Sequence, residues 1–339
     1  MIDTCQHEST LLEVNNLRVD FDTRDGVAHV LNGVGFSIQP GEVLGIVGES
    51  GCGKSMTALS VMGLVPNPPG KVVGGQIKYH GENLLECTPE RMREIRGNHI
   101  SMIFQEPMTA LNPVIRVGDQ IAESLLLHQK LSRDDAIDKA TELLREVQVP
   151  LPEKRIHEFP HQLSGGMRQR VMIAIALACE PGMLIADEPT TALDVTVQAQ
   201  VFDLLLELRQ ERQMAIILIT HDMGAIAEMA DRVLVMYAGR VIETATAGDI
   251  LQKPQHPYTR GLISCVPVLQ PGASAERKPL NEIPGIVPSL TSLGRGCAFE
   301  PRCHSRLPRC AIDMPMTFYS DTRHGTACWL FGEDKQGQS

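Results

Sequence analysis

Gly48, Glu49, Ser50, Gly51, Cys52, Gly53, Lys54 and Ser55 run consecutively and meet G-x-x-x-x-G-K-[ST] at every fixed position. Glycines there let successive backbone N–H groups curl round an anion, and a helix that starts at the lysine adds its partial positive charge. Lys54 is then the cation for the β- and γ-phosphates of a nucleotide, and the Ser55 hydroxyl is a ligand for Mg²⁺. Met56 follows in the first helical turn and joins the candidate nucleotide contacts. The flanks suit this reading. Residues 42–47 form a short apolar run expected as a buried strand, and residues 55–64 are rich in Met, Ala and Leu, as a helix would be.

Asp187 and Glu188 end a second apolar run, residues 183–186. Ligands of open α/β sheets bind at the C-terminal ends of the strands, so both acids are expected beside the glycine loop. A hard cation on a triphosphate takes oxygen ligands, which makes Asp187 the metal-side acid, directly or through water. Glu188 is the candidate general base, or water-orienting group, for in-line attack on the terminal phosphate. Leu163-Ser164-Gly165-Gly166-Met167 opens an apolar helix and offers a hydroxyl, free amides and a positive dipole end. One chain therefore carries two phosphate-binding edges. Gripping a single nucleotide with both is awkward within one chain and natural between two.

Nine cysteines are present, of which Cys5, Cys52, Cys87, Cys179 and Cys265 are isolated and read as reduced thiols. Cys297, Cys303, Cys310 and Cys328 instead share a Pro/Gly/Arg-rich segment of about 40 residues, too small to bury a core alone. A bound metal would supply the missing folding energy. All-sulfur ligation suits Zn²⁺ or an iron–sulfur cluster, though the spacing is not that of paired C-x2-C knuckles. Disulfides and unliganded thiols complete the alternatives.

The elements that must hold these groups follow from periodicity. Residues 11–21 and 30–38 alternate apolar and polar side chains, as strands do, on either side of an Asp25-Gly26 hairpin turn. A Pro/Gly-rich break is expected at 65–75, then a strand at 99–104 ending in Gln105. Residues 117–149 are helical in pattern, with Ala136, Ala140, Leu143, Leu144 and Val147 on one face and Ile137 at its edge, until Pro150 and Pro152. The helix opened by Ser164 is expected to run to Glu180, where Pro181 stops it. A helix at 197–211 and a strand at 215–220 follow, the latter leading to His221-Asp222. Strands at 233–237 and 240–243 pair round Ala238-Gly239. Such alternation predicts an α/β core with a mostly parallel sheet. Residues 270–296 read as a linker or irregular arm.

At 339 residues the chain allows one to three domains. It has no run of 18 apolar residues to span a membrane and no basic-then-apolar start, which argues against a secretory signal. A formal net charge of −10 argues against a nucleic-acid partner. The cytosol is the natural compartment for these thiols.

Over roughly residues 11–250, the order of these motifs resembles the ATP-binding-cassette ATPases. The resemblance implies an α/β fold: a P-loop NTPase (RecA-like) cassette with an antiparallel β subdomain and a helical subdomain, plus a small irregular Cys-rich C-terminal domain. It implies that Gln105 touches Mg²⁺ and the attacking water, beside the contact with the membrane partner. His221 becomes the switch histidine at the γ-phosphate, and Phe21 the aromatic that stacks on adenine. Ala192-Leu193-Asp194 resembles the loop that crosses the dimer interface. Met167 departs from the usual Leu-Ser-Gly-Gly-Gln, losing a polar contact while Ser164, Gly165 and Gly166 are kept.

His256-Pro257-Tyr258-Thr259-Arg260, with residues 262–266, resembles the C-terminal extension of the dipeptide/oligopeptide/nickel permease ATPases, as does the stretch 104–113. The expected division is a core at 1–105 and 166–255, a helical subdomain at 106–165, an extension and linker at 256–296, and a four-cysteine tail at 297–339. Implied cofactors are ATP, Mg²⁺ on Ser55, Gln105 and Asp187, and a [4Fe–4S] cluster on Cys297, Cys303, Cys310 and Cys328, with Zn²⁺ as the alternative. Implied partners are a paralogous second ATPase subunit in a heterodimer, two membrane-spanning permease subunits and a periplasmic substrate-binding protein. The expected activity is ATP hydrolysis coupled to uptake of dipeptides or oligopeptides, with the chain peripheral on the cytoplasmic side of a bacterial inner membrane. Nickel, glutathione and murein peptides are the other solutes of the group, and a soluble non-transport ATPase is the competing class.

Overall fold

The computed structural model describes residues 10–105, 110–191, 194–266, 282–321 and 323–332. Cys5, residues 106–109 of the stretch 104–113, Ala192-Leu193, and residues 270–281 of the expected arm lie outside them. The strands in chain order are β1 (Leu12–Thr23), β2 (Gly26–Ile38), β3 (Val43–Val47), β4 (Gly70–Tyr79), β5 (Glu82–Asn83), β6 (Ile100–Ile103), β7 (Met183–Asp187), β8 (Ala215–Ile219), β9 (Arg232–Tyr237), β10 (Arg240–Thr246), β11 (Phe318–Tyr319) and β12 (Gly325–Thr326). The helices used below are α1 (Lys54–Val61), α2 (Pro89–Ile95), α3 (Val117–His128), α4 (Arg133–Glu146), α5 (Gly165–Leu177), α6 (Val195–Arg212), α7 (Met223–Met229), α8 (Ala247–Gln252) and α9 (Pro257–Ser264).

The larger sheet has the order β11-β12-β10-β9-β3-β8-β7-β6. From β9 to β6 its neighbours are parallel, and every residue of β3, β7 and β8 is buried. Strands covered on both faces read as unbroken apolar runs, which is why 42–47 and 183–186 stood out in the sequence. The smaller sheet, β2-β1-β4-β5, is antiparallel. Its β1–β2 hairpin turns at the residues before Gly26, pairing Thr23 with Gly26.

Three boundaries differ from expectation. The break at 65–75 ends at Gly70, where β4 starts and pairs with β1. A Cβ on Gly75 would lie 2.6 Å from the Leu17 Cα, and Gly75 has φ +100°, so these glycines mark a bulge against β1. The helical stretch 117–149 divides after His128, with Lys130 in the left-handed region and Ser132 capping α4 through the Asp135 N–H. The expected face of α4 is buried, with Ala136, Ala140, Leu143 and Leu144 packed into the main core beside Ile121 and Leu125 of α3. Finally, α5 ends at Leu177, short of Glu180, which takes φ +54°.

The cysteine segment corrects a physical expectation. It does not lack a core, because it uses that of the cassette. Phe299 is buried and packs edge-on against Tyr237 and Tyr258, each with ring centroids 5.4 Å away. Its hairpin, β11–β12, continues the larger sheet by pairing Glu243 with Thr326 and Thr244 with Gly325. A metal is therefore not needed to explain why this segment folds, and a self-standing small Cys-rich domain is not what these contacts describe.

Glu243 anchors the junction. It is buried, and its carboxylate accepts the N–H groups of Gln255 (2.7 Å) and His256 (2.9 Å) and lies 2.7 Å from His324 Nε2. His256 in turn caps α9, its Nδ1 accepting the Tyr258 N–H at 3.0 Å. Burial, with Arg260 nearby, pushes the His256 imidazole down to about 3. An unfolded chain protonates this residue near pH 6.5, so between the two values it binds more protons than the folded protein. Stability should therefore fall on acidification through that window, by up to about 1.4 kcal/mol per pH unit from this residue. Urea unfolding at pH 7 and pH 5.5 should show a smaller pH-induced loss in His256→Asn, which keeps a capping acceptor; equal losses would exclude His256 as the source.

Candidate nucleotide site

The loop from Gly48 to Gly53 joins β3 to α1, as its motif requires. Gly48 has φ +153° and a Cβ there would lie 2.3 Å from the Met236 carbonyl oxygen; at Gly53, φ +104°, it would lie 2.7 Å from Leu31 Cδ2. Only glycine fits either position, because the loop lies directly on β9 and β2. Ser50 and Gly51 are exposed, while Cys52 is buried and burial pushes its thiol up. Met56 packs its side chain on the apolar cluster of β1, β2 and β9. Lys54 is buried, and its Nζ donates to the carbonyls of Gly48 (2.7 Å) and Glu49 (3.1 Å). The ammonium is thus held across the loop by the loop's own oxygens.

Ser55 and Asp187 are 132 residues apart, yet Ser55 Oγ donates to Asp187 Oδ1 at 3.1 Å. Parallel pairing of β3 with β8, and of β8 with β7, brings their strand ends together. Burial pushes the Asp187 carboxyl up, against the opposing pull of the Ser55 hydrogen bond. Oxygen donors in contact at the end of a sheet are a suitable pair for a hard divalent cation.

Glu188 follows with φ +47°, a left-handed conformation that costs on the order of 1 kcal/mol for a residue with a side chain. Its N–H donates to the Ile219 carbonyl at 2.8 Å, which holds that conformation. Its carboxylate accepts from Gln105 Nε2 (3.0 Å) and Thr191 Oγ1 (3.1 Å) and lies 3.4 Å from His221 Nδ1. Burial pushes this carboxyl up, but Thr191, Gln105 and His221 together outweigh it and hold it below the usual range. The result is an ionised, oriented acceptor. Gln105, Glu188 and His221 thus meet at one point. Thr191 was not foreseen; its position three residues after Glu188, in a turn closed by Thr191 N–H to Glu188 C=O (3.2 Å), was the available signal. A cavity of about 510 Å³ adjoins Glu188 and His221 and is walled by Leu262, Cys265 and Val266 at the end of α9.

Other candidates lie apart. Phe21 is half-buried and packs over Gly70, where a Cβ would come within 2.6 Å of its ring. Asp194 is exposed and caps α6 by accepting the Val197 N–H at 2.9 Å. Ser164 is exposed and caps α5, accepting the Met167 N–H at 3.3 Å. A Cβ on Gly166 would lie 3.0 Å from Val197, whereas one on Gly165 meets nothing of this chain within 4 Å. Among the described residues, Ser164 to Gly166 share no hydrogen bond with the Lys54 loop.

The four clustered cysteines are free thiols, and the Cys297 N–H donates to the Cys310 carbonyl at 2.7 Å. Burial, reinforced by neighbouring thiols, pushes Cys297 and Cys328 up to about 11. Among the described residues, no group of three or more His, Cys, Asp or Glu side chains is arranged to hold a metal ion. The geometry therefore does not support the iron–sulfur expectation.

Residues 31–191 match the family described as ABC transporter, and residues 242–310 match the oligopeptide/dipeptide transporter C-terminal region. The chain is 48% identical to the oligopeptide transport ATP-binding protein AppD of Bacillus subtilis, over 98% of this chain and 100% of AppD. It is 49% identical to the dipeptide transport ATP-binding protein DppD of the same organism, over 94% of each chain. Among solved structures it resembles the ATP-binding cassette MJ0796, in a dimeric post-hydrolysis state bound to ADP and Pi, with a TM-score of 0.63 and 26% identity over 70% of this chain and 98% of that one. It also resembles cbiO1 of Clostridium perfringens, part of the ABC transporter complex cbiONQ, with a TM-score of 0.61 and 29% identity over 73% of this chain and 92% of that one.

Replacing Lys54 with Ala removes the buried cation of the loop. Equilibrium titration with a fluorescent ATP analogue should show affinity weaker by about 10–100-fold, with the melting temperature little changed. Unaltered affinity would exclude Lys54 as a phosphate ligand.

Proposed function

This chain belongs to the ABC transporter ATP-binding proteins of the peptide-transport group, and we propose that it hydrolyses ATP to drive uptake of dipeptides or oligopeptides across a bacterial inner membrane. The observation that carries the catalytic reading is Glu188. It is an ionised carboxylate held by Gln105, Thr191 and His221, one residue from the Ser55–Asp187 pair.

In this reading the Gly48–Ser55 loop binds the triphosphate, and Lys54 exchanges its carbonyl partners for β- and γ-phosphate oxygens. Mg²⁺, when bound by Ser55, Asp187 and Gln105, neutralises charge on the phosphates. Glu188 orients the attacking water and takes its proton, while His221 faces the terminal phosphate. Phe21 carries the adenine, and Asp194 lies at the dimer interface.

Ser164, Gly165 and Gly166 serve the nucleotide of a second cassette. The exposure of Ser164 and the open space at Gly165 support this, since packing within the chain does not require that glycine. We assign the second cassette to a paralogous ATPase subunit, with two permease subunits and a periplasmic binding protein completing the importer. Among the described residues no helix is long and apolar enough to cross a membrane, consistent with a peripheral subunit on the cytoplasmic face. ATP favours the closed pair of cassettes, and that difference in affinity is what moves the permease. The division into a core at 1–105 and 166–255, a helical subdomain at 106–165, an extension at 256–296 and a tail at 297–339 belongs to the same reading.

A [4Fe–4S] cluster on Cys297, Cys303, Cys310 and Cys328 is a separate proposal, supported by the four cysteines that fall in one short segment. Binding would require their deprotonation and rearrangement. Its role would be structural, since ATP-driven import needs no electron transfer.

Glu188→Gln in the assembled transporter should keep ATP affinity but lower turnover by about 10²–10⁴-fold, with the closed cassette pair accumulating on a sizing column. Wild-type turnover would remove Glu188 from the reaction. Anaerobic purification should give brown protein with about four iron atoms per chain. Zinc in their place would reassign the metal, and metal-free protein would end the cluster proposal.

A further inference from the structure

Glu49, at a position of the phosphate loop that the glycine motif leaves unspecified, is gripped from outside the cassette core. Its carboxylate forms a bidentate pair with Arg302, Oε2 to Nη1 at 2.7 Å and Oε1 to Nη2 at 3.0 Å, across 253 residues. Its backbone N–H donates to the Tyr258 hydroxyl at 2.8 Å. Its carbonyl accepts from Lys54 Nζ at 3.1 Å. Each polar group of Glu49 is therefore engaged, two by the C-terminal region and one by the phosphate-binding lysine.

Arg302 is built into place. Its side chain is only 4% exposed, and all of its N–H donors are used. Besides Glu49, Nε donates to the Pro284 carbonyl (2.9 Å), Nη2 to the Ile283 carbonyl (3.1 Å) and Nη1 to the Tyr237 hydroxyl (3.3 Å). Its guanidinium lies 5.9 Å from the ring centres of both Tyr237 and Phe299. Tyr258 is fully buried against the same rings. Such a saturated guanidinium cannot swing away without giving up its pair with Glu49, the Tyr237 hydroxyl and the Pro284 and Ile283 carbonyls together.

A bare carboxylate in a loop that binds a triphosphate repels its ligand and competes with it for the lysine. Pairing with Arg302 neutralises that charge and fixes the carbonyl that contacts Lys54. We propose that Arg302 and Tyr258 are positioning residues for the phosphate loop, through which the C-terminal region sets the affinity for ATP. This inference rests on the nucleotide-binding reading of the loop and adds the residues that tune it from the far end of the chain.

The full-length protein is titrated with a fluorescent ATP analogue, and the assembled transporter is assayed for KM and kcat. Arg302→Gln should raise both Kd and KM by about tenfold with kcat within about twofold, because the chemistry at Glu188 is untouched. Adding Glu49→Gln removes the stranded charge, so the double variant should regain at least half of that loss on a logarithmic scale. A double variant as weak as Arg302→Gln, or Arg302→Gln with the wild-type Kd, overturns the proposal. Should Arg302→Gln fail to fold, Tyr258→Phe decides: KM raised at least about threefold with kcat retained supports the strut, and an unchanged KM rejects it. Wild-type protein that bound no nucleotide would instead sink the functional reading itself.

Discussion

The parallel ladder β3–β8–β7 is the constraint from which the site follows. Ile219 of β8 pairs with Ile46 of β3 on one side and with Asp187 of β7 on the other. That register sets the glycine loop, Glu188 and Thr220 side by side at the C-terminal ends of these strands. A slip by one residue would turn every side chain of a strand to the opposite face, and Ser55 would no longer meet Asp187. Up to Asp187 at the end of β7 the three strands are apolar because both faces are covered, so their packing fixes the register. The chemistry sits just beyond the ladder, where polar groups can face solvent.

Within that frame, charged groups are satisfied before any ligand arrives. Lys54 is buried on two carbonyls, Asp187 on a hydroxyl, and Glu188 on an amide, a hydroxyl and an imidazole. A buried polar group without partners costs free energy, and at Glu188 the partners outweigh burial and hold the carboxyl below its usual range. The left-handed backbone at Glu188 has the same logic. Its strain is held by the Ile219 carbonyl on one side and by its carboxylate partners on the other, leaving the side chain little freedom.

Local signals were legible in the sequence and distant ones were not. Gly48 to Ser55, Asp187-Glu188 and the buried face of α4 each rest on spacing within one element, which a sequence displays directly. The meeting of Gln105, Glu188 and His221 came from family resemblance, because no periodicity links residues on three different strand ends. Residues 65–75 were misread because glycine marks a chain break and a strand bulge alike; only the approach of β4 to Leu17 separates the two. Pro181 suggested too long a helix, since the turn at Glu180 that ends α5 leaves no mark of its own. The pairing of Arg302 with Glu49 spans most of the chain and was invisible to any local pattern.

The C-terminal segment shows why composition alone misjudged it. Taken by itself it has few apolar residues and many prolines, so a metal looked necessary to hold it. In place, Phe299 packs edge-on against Tyr237 and Tyr258, Thr326 extends the sheet beside Glu243, and His324 reaches that same buried carboxylate. Folding energy that a small domain would need from staples comes here from surface already organised by the cassette. Because Tyr237 ends β9 beside the phosphate loop and Glu243 lies on β10, the segment cannot detach without exposing residues that also support the loop. Cassette and C-terminal segment therefore share one set of packed residues. Through Tyr258 and Arg302 those residues reach Glu49 in the glycine loop.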